Sequence, residues 1–415
     1  MRLGAGASLP LEGSLEHNVR WLFAGRAMRS FATAFLTVAF PLYLAALGYH
    51  SRTIGLVVTA GAAATACLVL FVGIAGDRWG RRRMLLILGA LAAVGGFLMA
   101  GSSSLLAIAV ASGVCGVGRG GGAGSGGSWG PVLPAEQPLL ASSVAPQRRT
   151  AAFGQIGFVG VMAAVLGSLV AMLPAALHRA GWSWVAAYHL LFAFGGLMGV
   201  GMLLTSLPLR EPPAPPADQA PPSTLSTRQI IGRLGLTNAL NGMGFGFLGP
   251  LLTYWFHVRY GVGPDALSVL YTLVNLTTAL PYLGAARLVE RLGSVRTVTV
   301  TRFFSVVLLA VIPLMPTFAL AGALYALRMA VNSLSLAARQ SYVMGISDER
   351  RRGSVAALSM LPSQVTATVS PALAGVLMES FLDTPLFGAA LFMGANLVAY
   401  YYAFRDVPAP EERSS

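Results

Sequence analysis

The chain has 415 residues, 55% of them hydrophobic and only 10% charged. Soluble globular domains carry roughly 25% charged residues, so an ordinary water-soluble enzyme is excluded. The formal net charge is +13 and all 28 basic residues are arginine; they lie between apolar segments, where a membrane's orientation rule explains them better than a nucleic-acid surface.

In chain order, the first twenty residues are polar and lack the apolar core of a signal peptide, so the first apolar run is expected to stay in the mature protein. A membrane-crossing helix needs about 20 mostly apolar residues. The pattern predicts twelve, at about 21–47, 53–75, 84–102, 105–141, 151–175, 185–207, 234–257, 265–286, 297–315, 318–345, 353–379 and 384–404. The fourth is over-long, and a break is expected at its glycine run, Gly118 to Gly127. Cys67 and Cys115 sit in apolar runs without metal or disulfide spacing and read as packing residues. After the sixth span, Arg210-Glu211-Pro212-Pro213-Ala214-Pro215-Pro216 opens a proline-rich stretch that reads as an extended linker. The expected organisation is an all-α membrane protein with twelve transmembrane helices in two pseudo-symmetric six-helix bundles, 1–207 and 229–415, joined by a linker over 208–228.

With the N-terminus inside, nineteen arginines fall in cytoplasmic segments and only Arg52, Arg179 and Arg259 in external loops. That bias places both termini and the linker in the cytoplasm. Three sets of landmarks recur in order. Gly76-Asp77-Arg78-Trp79-Gly80-Arg81-Arg82-Arg83 is echoed by Val289-Glu290-Arg291-Leu292-Gly293-Ser294-Val295-Arg296; Ala135-Glu136-Gln137 and Arg148-Arg149 by Ala338-Arg339-Gln340 and Arg351-Arg352; Pro41 by Pro250. A duplicated six-helix unit is the simplest account.

With these residues in view, the chain resembles the major facilitator superfamily. The stretch Gly73-Ile74-Ala75-Gly76-Asp77-Arg78-Trp79-Gly80-Arg81-Arg82-Arg83 is similar to that family's Gly-x-Leu-Ala-Asp-Arg-x-Gly-Arg-Arg/Lys signature, with Ala75 and Gly76 in place of Leu and Ala. Nested repeats are a known property of that family. Small residues at Gly73 and Gly76 suit close helix approach, and Gly80 suits a tight turn. The resemblance implies that Asp77 contacts the start of the eleventh span and an arginine such as Arg81, a latch made of Gly73, Asp77, Arg78, Gly80 and Arg81. The alternative is that the arginines only set orientation and bind anionic lipid.

Ionisable groups inside a bilayer are site candidates. Arg26 and Arg29 fall in span one, Arg119 in span four, Arg302 in span nine, and Arg328 and Arg339 in span ten; the one acid away from an outer end is Glu136. Glu136 and Arg339 occupy equivalent places, which predicts an inner gate pair across the pseudo-two-fold axis, with Glu136 as the proton-coupling candidate. Helix capping at the water interface is the alternative. By resemblance, the first and fourth helices of each half line a central cavity, so Arg29, Arg119, Asn238, Asn241, Arg328 and Asn332 are the cavity candidates. Tyr254, Trp255, Asn275 and Gln364 are further polar groups. Arg119 resembles the span-four arginine of drug:proton antiporters, but Gly122 and Ala123 replace the Gln and Gly that follow it there, and span five lacks that pattern's proline.

No metal-ligand cluster, nucleophile elbow or phosphate loop is present in the sequence, and no added signalling domain stands beside the spans. A membrane enzyme and a non-transporting sensor are therefore the weaker readings. The expected function is secondary transport of a small molecule by alternating access, as proton-coupled efflux, with uptake or exchange of a small organic anion as the alternative. No cofactor, no metal and no nucleic acid is expected; the partners are substrate, protons and lipid, the chain a monomer in a bacterial inner membrane.

Overall fold

The computed structural model describes residues 11–49, 51–115, 130–211, 226–262, 264–347 and 352–407. Every regular element among them is helical. The first half contains α1 (Leu11–Ala46), α2 (Ser51–Trp79), α3 (Arg81–Gly101), α4 (Leu105–Cys115), α5 (Leu133–Ser142), α6 (Arg149–Val170), α7 (Leu173–Arg179) and α8 (Trp184–Ser206). The second contains α9 (Thr227–Tyr260), α10 (Pro264–Leu292), α11 (Ser294–Val311), α12 (Phe318–Ile346), α13 (Arg352–Ser380) and α14 (Thr384–Phe404).

Seven stretches, Arg81–Gly101, Pro146–Arg179, Trp184–Ser206, Val269–Leu292, Ser294–Leu314, Phe318–Ile346 and Thr384–Phe404, are long and apolar enough to cross a membrane. Leu106, Leu280 and Leu391 are each at least 70% exposed, an apolar surface that lipid, not water, covers.

Helix ends depart from the apolar pattern for local reasons. α1 starts at Leu11, ten residues before the apolar run, because a helix can continue through polar sequence beyond the hydrocarbon. The expected fifth span divides into α6 and α7. Pro174 stands in the first turn of α7, where its missing N–H is tolerated, whereas in a continuous helix it would remove a backbone bond. The expected fourth span appears as α4 and α5; the glycine run Gly118–Gly127 lies outside the described residues, as does the linker from Pro212 to Leu225. α9 begins at Thr227, so the end of the expected linker is helical. Ser226 and Gln229 form a reciprocal cap there: Ser226 N donates to Gln229 Oε1 at 3.0 Å and Gln229 N to Ser226 Oγ at 3.3 Å.

The turn at Gly80 marks one end of the bundle, here the motif end. At that end a single core cluster crosses both halves. Val72, Leu85, Phe153 and Ile156 pack with Tyr282, Ala337 and Ala356. At the far end each half has its own cluster, one around Phe40, Tyr43 and Phe192 and the other around Phe247, Trp255 and Leu386. The contacts between halves are made chiefly by α2 with α13 and by α6 with α10 and α12, with α5 against α12 and α13.

Candidate functional site

At the motif end, the last turn of α2 presents Asp77 to the first turn of α13. Its Oδ1 accepts from Gly353 N at 3.1 Å and its Oδ2 from Ser354 N at 2.7 Å. A carboxylate there takes up two backbone donors that a helix start leaves without intrahelical partners, and it complements the dipole. Arg81 Nη2 stands 3.7 Å from Asp77 Oδ1. The backbones must be close for this. A Cβ at Gly73 would lie 2.7 Å from the Gly353 carbonyl oxygen, and one at Gly353 would lie 2.8 Å from Asp77 Oδ1. Gly80 adopts φ 100°, a conformation suited to glycine. Gly76 does not share the close approach: a Cβ there would meet only Met84 Cγ, at an ordinary 3.5 Å. Arg78 is exposed.

The neighbouring linker residue Glu211 adds a second carboxylate at this end. Its carboxylate accepts from Arg81 N at 2.6 Å and Arg82 N at 3.3 Å, capping α3. Asn18 of α1 holds the preceding residue through both backbone groups of Arg210, each at 2.8 Å. Nothing in the local sequence signals either contact, since the partners are more than a hundred residues apart.

The expected Glu136–Arg339 gate pair is not formed, although the halves are closed together at this end. Glu136, at the start of α5, binds α1 of its own half: Arg26 Nη1 at 2.6 Å from Oε1 and Arg29 Nη2 at 2.9 Å from Oε2. These side chains are 6%, 2% and 11% exposed, so the carboxylate is compensated on the spot and has no need of a partner across the axis. A small crevice beside it is lined by Trp21, Leu85, Met202, Thr205 and Ser206. In the second half, Arg339 of α12 donates to Asn238 Oδ1 of α9, and Asn238 Nδ2 donates to the Ser359 carbonyl at 2.6 Å. The register explains the correction. The Pro41/Pro250 offset of 209 carries Arg29 onto Asn238. Thus α1 is tied to α5 and α9 to α12, with donor and acceptor exchanged. Arg26 is a second α1 partner of Glu136, with no counterpart in the expected pair.

A second bond recurs unchanged. Arg149 Nε donates to the Ala141 carbonyl at 3.1 Å, and Arg352 Nε to the Met344 carbonyl at 2.9 Å, each tying a helix start to the end of the preceding helix. Arg302 of α11 donates to Asn396 of α14, whose amide donates to the Thr237 carbonyl, and to Ser335 Oγ at 3.2 Å. Arg302 and Arg339 lie 5.9 Å and 6.0 Å from the Tyr400 ring.

Of the other cavity candidates, Arg119 lies outside the described residues. Asn241 and Asn332 are half-buried on α9 and α12, in the same two helices as the Asn238–Arg339 pair. Arg328 is buried in the second half, with Met329 Sδ at 3.5 Å from Nη1 and Met393 Sδ at 3.1 Å from Nη2.

A family model described as the Major Facilitator Superfamily matches residues 22–235 and again 234–415. No curated protein sequence matches. Among solved structures, the chain is similar to the human organic anion transporter MFSD10 (TETRAN), with TM-score 0.72 and 16% identity over 95% of this chain and 100% of that one. It is also similar to a bacterial homologue of the iron transporter ferroportin in an outward-facing state, with TM-score 0.68 and 17% identity over 95% and 99%. A bacterial homologue of the iron transporter ferroportin in an outward-facing state with soaked iron gives TM-score 0.70 and 15% identity over 93% and 98%.

Proposed function

Since this chain belongs to the Major Facilitator Superfamily and is a multi-pass membrane transporter, not an enzyme, we propose that it is a secondary transporter moving a small molecule by alternating access. The observation that carries this reading is the asymmetry between the two ends. The halves share one core and the Asp77 contact at the motif end, and keep separate cores at the far end. Two bundles of six helices, 1–207 and 229–415, rock about the α2–α13 and α6–α10 contacts. The motif end is cytoplasmic, with both termini and the linker, in a bacterial inner membrane. The Asp77 contact with α13, supported by Gly73, Gly80 and Arg81, latches the cytoplasmic side and is released as the cavity turns inward. The double family match supports two related halves.

In this reading transport is proton-coupled efflux, with Glu136 the proton-coupling group and protons released or bound as its arginine contacts change. The protein is reconstituted as a monomer in vesicles with an entrapped pH dye and offered anionic, neutral and cationic compounds in turn. The expected result is compound-dependent proton flux that Glu136→Gln reduces. Undiminished flux in that variant contradicts the coupling role, and absence of flux with every class contradicts proton-coupled transport.

One observation favours a second reading, uptake or exchange of a small organic anion. Among the described residues six arginines are buried (Arg26, Arg81, Arg149, Arg302, Arg328 and Arg352) against one buried acid, Glu136. Guanidinium groups suit carboxylates, and the fold is shared with a human organic anion transporter.

A further inference from the structure

The buried arginines are not alike. Arg26 faces Glu136, Arg81 faces Asp77, Arg149 and Arg352 face backbone carbonyls, and Arg302 faces Asn396 and Ser335. Each has an oxygen acceptor. Arg328 has none among the described residues. It is 2% exposed, its Nε is without a partner, and among the described residues its two terminal nitrogens bond to the sulfurs of Met329 and Met393. A thioether is a weak acceptor, whereas a guanidinium offers five donors. A buried charge without a compensating acceptor is strongly unfavourable. The fork that remains fits a planar pair of oxygens.

The surroundings narrow what could carry those oxygens. Tyr325 lies one turn before Arg328 on α12, and Phe247 and Phe392, with ring centroids 5.4 Å apart, belong to the same apolar cluster. Met393 packs into the notch at Gly244 of α9, where a Cβ would stand 2.7 Å from Met393 Cγ. Thioethers and rings are polarizable apolar surfaces. They suit a hydrocarbon or aromatic body and not a strongly hydrated inorganic anion. Methionine has three rotatable side-chain bonds and adapts its shape readily, so Met329 and Met393 can cover the guanidinium when the site is empty and move aside when it is filled.

We propose that Arg328 anchors the anionic head of an amphipathic organic monoanion, a carboxylate or sulfonate, whose apolar body packs among α9, α12 and α14. The proposal rests on the transporter reading and names the cargo class. Met393 is the removable cover of the site, and the described conformation is its covered form.

The test uses purified full-length protein in a non-ionic detergent, with thermal-shift titration of naphthalene-2-sulfonate and octanoate against octanamide and inorganic phosphate. The two organic anions are expected to stabilise the wild type; the amide and phosphate are not. Arg328→Met is expected to weaken anion binding by roughly ten- to hundredfold and, without ligand, to melt no lower than the wild type, because an isolated buried charge has been removed. Met393→Ala, which leaves the guanidinium in place, is expected to strengthen binding. Equal anion binding by Arg328→Met overturns the anchor while leaving anion transport standing. A variant that melts far below the wild type marks a structural arginine and overturns it too, as does weaker or unchanged binding in Met393→Ala. If neither anion binds the wild type while a neutral or cationic compound drives flux in vesicles, the cargo class is wrong and the transporter reading survives.

Discussion

The two halves carry the same landmarks and use them in three different ways. The arginine that ties a helix start to the preceding helix end is kept: Arg149 on Ala141, Arg352 on Met344. The link of α1 to α5 and of α9 to α12 is kept with its polarity exchanged, Arg29 with Glu136 in one half and Asn238 with Arg339 in the other. The acidic residue of the turn is kept in sequence only. Asp77 binds the start of α13, whereas Glu290 is exposed and makes no ion pair or hydrogen bond among the described residues. Both turns pass through a glycine of positive φ, Gly80 at 100° and Gly293 at 77°. Backbone geometry is thus common to both turns, and the contact between halves is particular to one. Similar links hold each half together, and of the two main helix contacts between the halves, α2 with α13 and α6 with α10, the first carries the carboxylate cap.

The largest expected effect is at the exchanged link. Glu136→Ala leaves Arg26 and Arg29 buried without their carboxylate, a loss of about 3–5 kcal/mol. Asn238→Ala removes a neutral acceptor from Arg339 and should lose about 1.5–3 kcal/mol. Thermal unfolding in detergent should therefore rank Glu136→Ala below Asn238→Ala; the reverse order would mean that the ionic link is not what holds α1 to α5. A smaller effect sharpens the kept bond. Arg149→Met and Arg352→Met should each lower the melting temperature by a similar amount, corresponding to about 1–2 kcal/mol. A loss confined to one of them would make the repeated bond a coincidence of geometry.

Much of this arrangement is legible in the sequence, and the limits are physical. Apolar runs mark the helices because a lipid-facing or core-facing rod must be apolar along its length; the expected fifth span nevertheless breaks between α6 and α7, and residues 116–129 of the fourth lie outside the described residues. The turn at Gly80 is readable because its glycine and acid have backbone reasons to be there. The cap at Ser226 and Gln229 is a local signal too, masked by the prolines just before it. The pairing of Glu136 is a different kind of problem. Charge and symmetry suggested Arg339, yet the choice among Arg26, Arg29 and Arg339 depends on which helices touch, a tertiary fact. Asn396 beneath Arg302 is 94 residues away, and no spacing rule reaches it. Arg328 was visible as an intramembrane arginine; that its neighbours are two sulfurs was not.

In the proposed latch, Asp77 and not its echo Glu290 favours closure of the halves at the motif end. Spin labels at positions 83 and 291, both exposed and in opposite halves, report that separation by pulsed electron paramagnetic resonance on a cysteine-free background. Asp77→Asn retains one good acceptor where two charged ones stood, and it should raise the population of the longer separation by roughly ten- to hundredfold. Glu290→Gln should leave the distribution as in the wild type, since exposed substitutions change stability by about 0.5 kcal/mol or less. Superimposable distances in Asp77→Asn and wild type, or opening in Glu290→Gln, would contradict it.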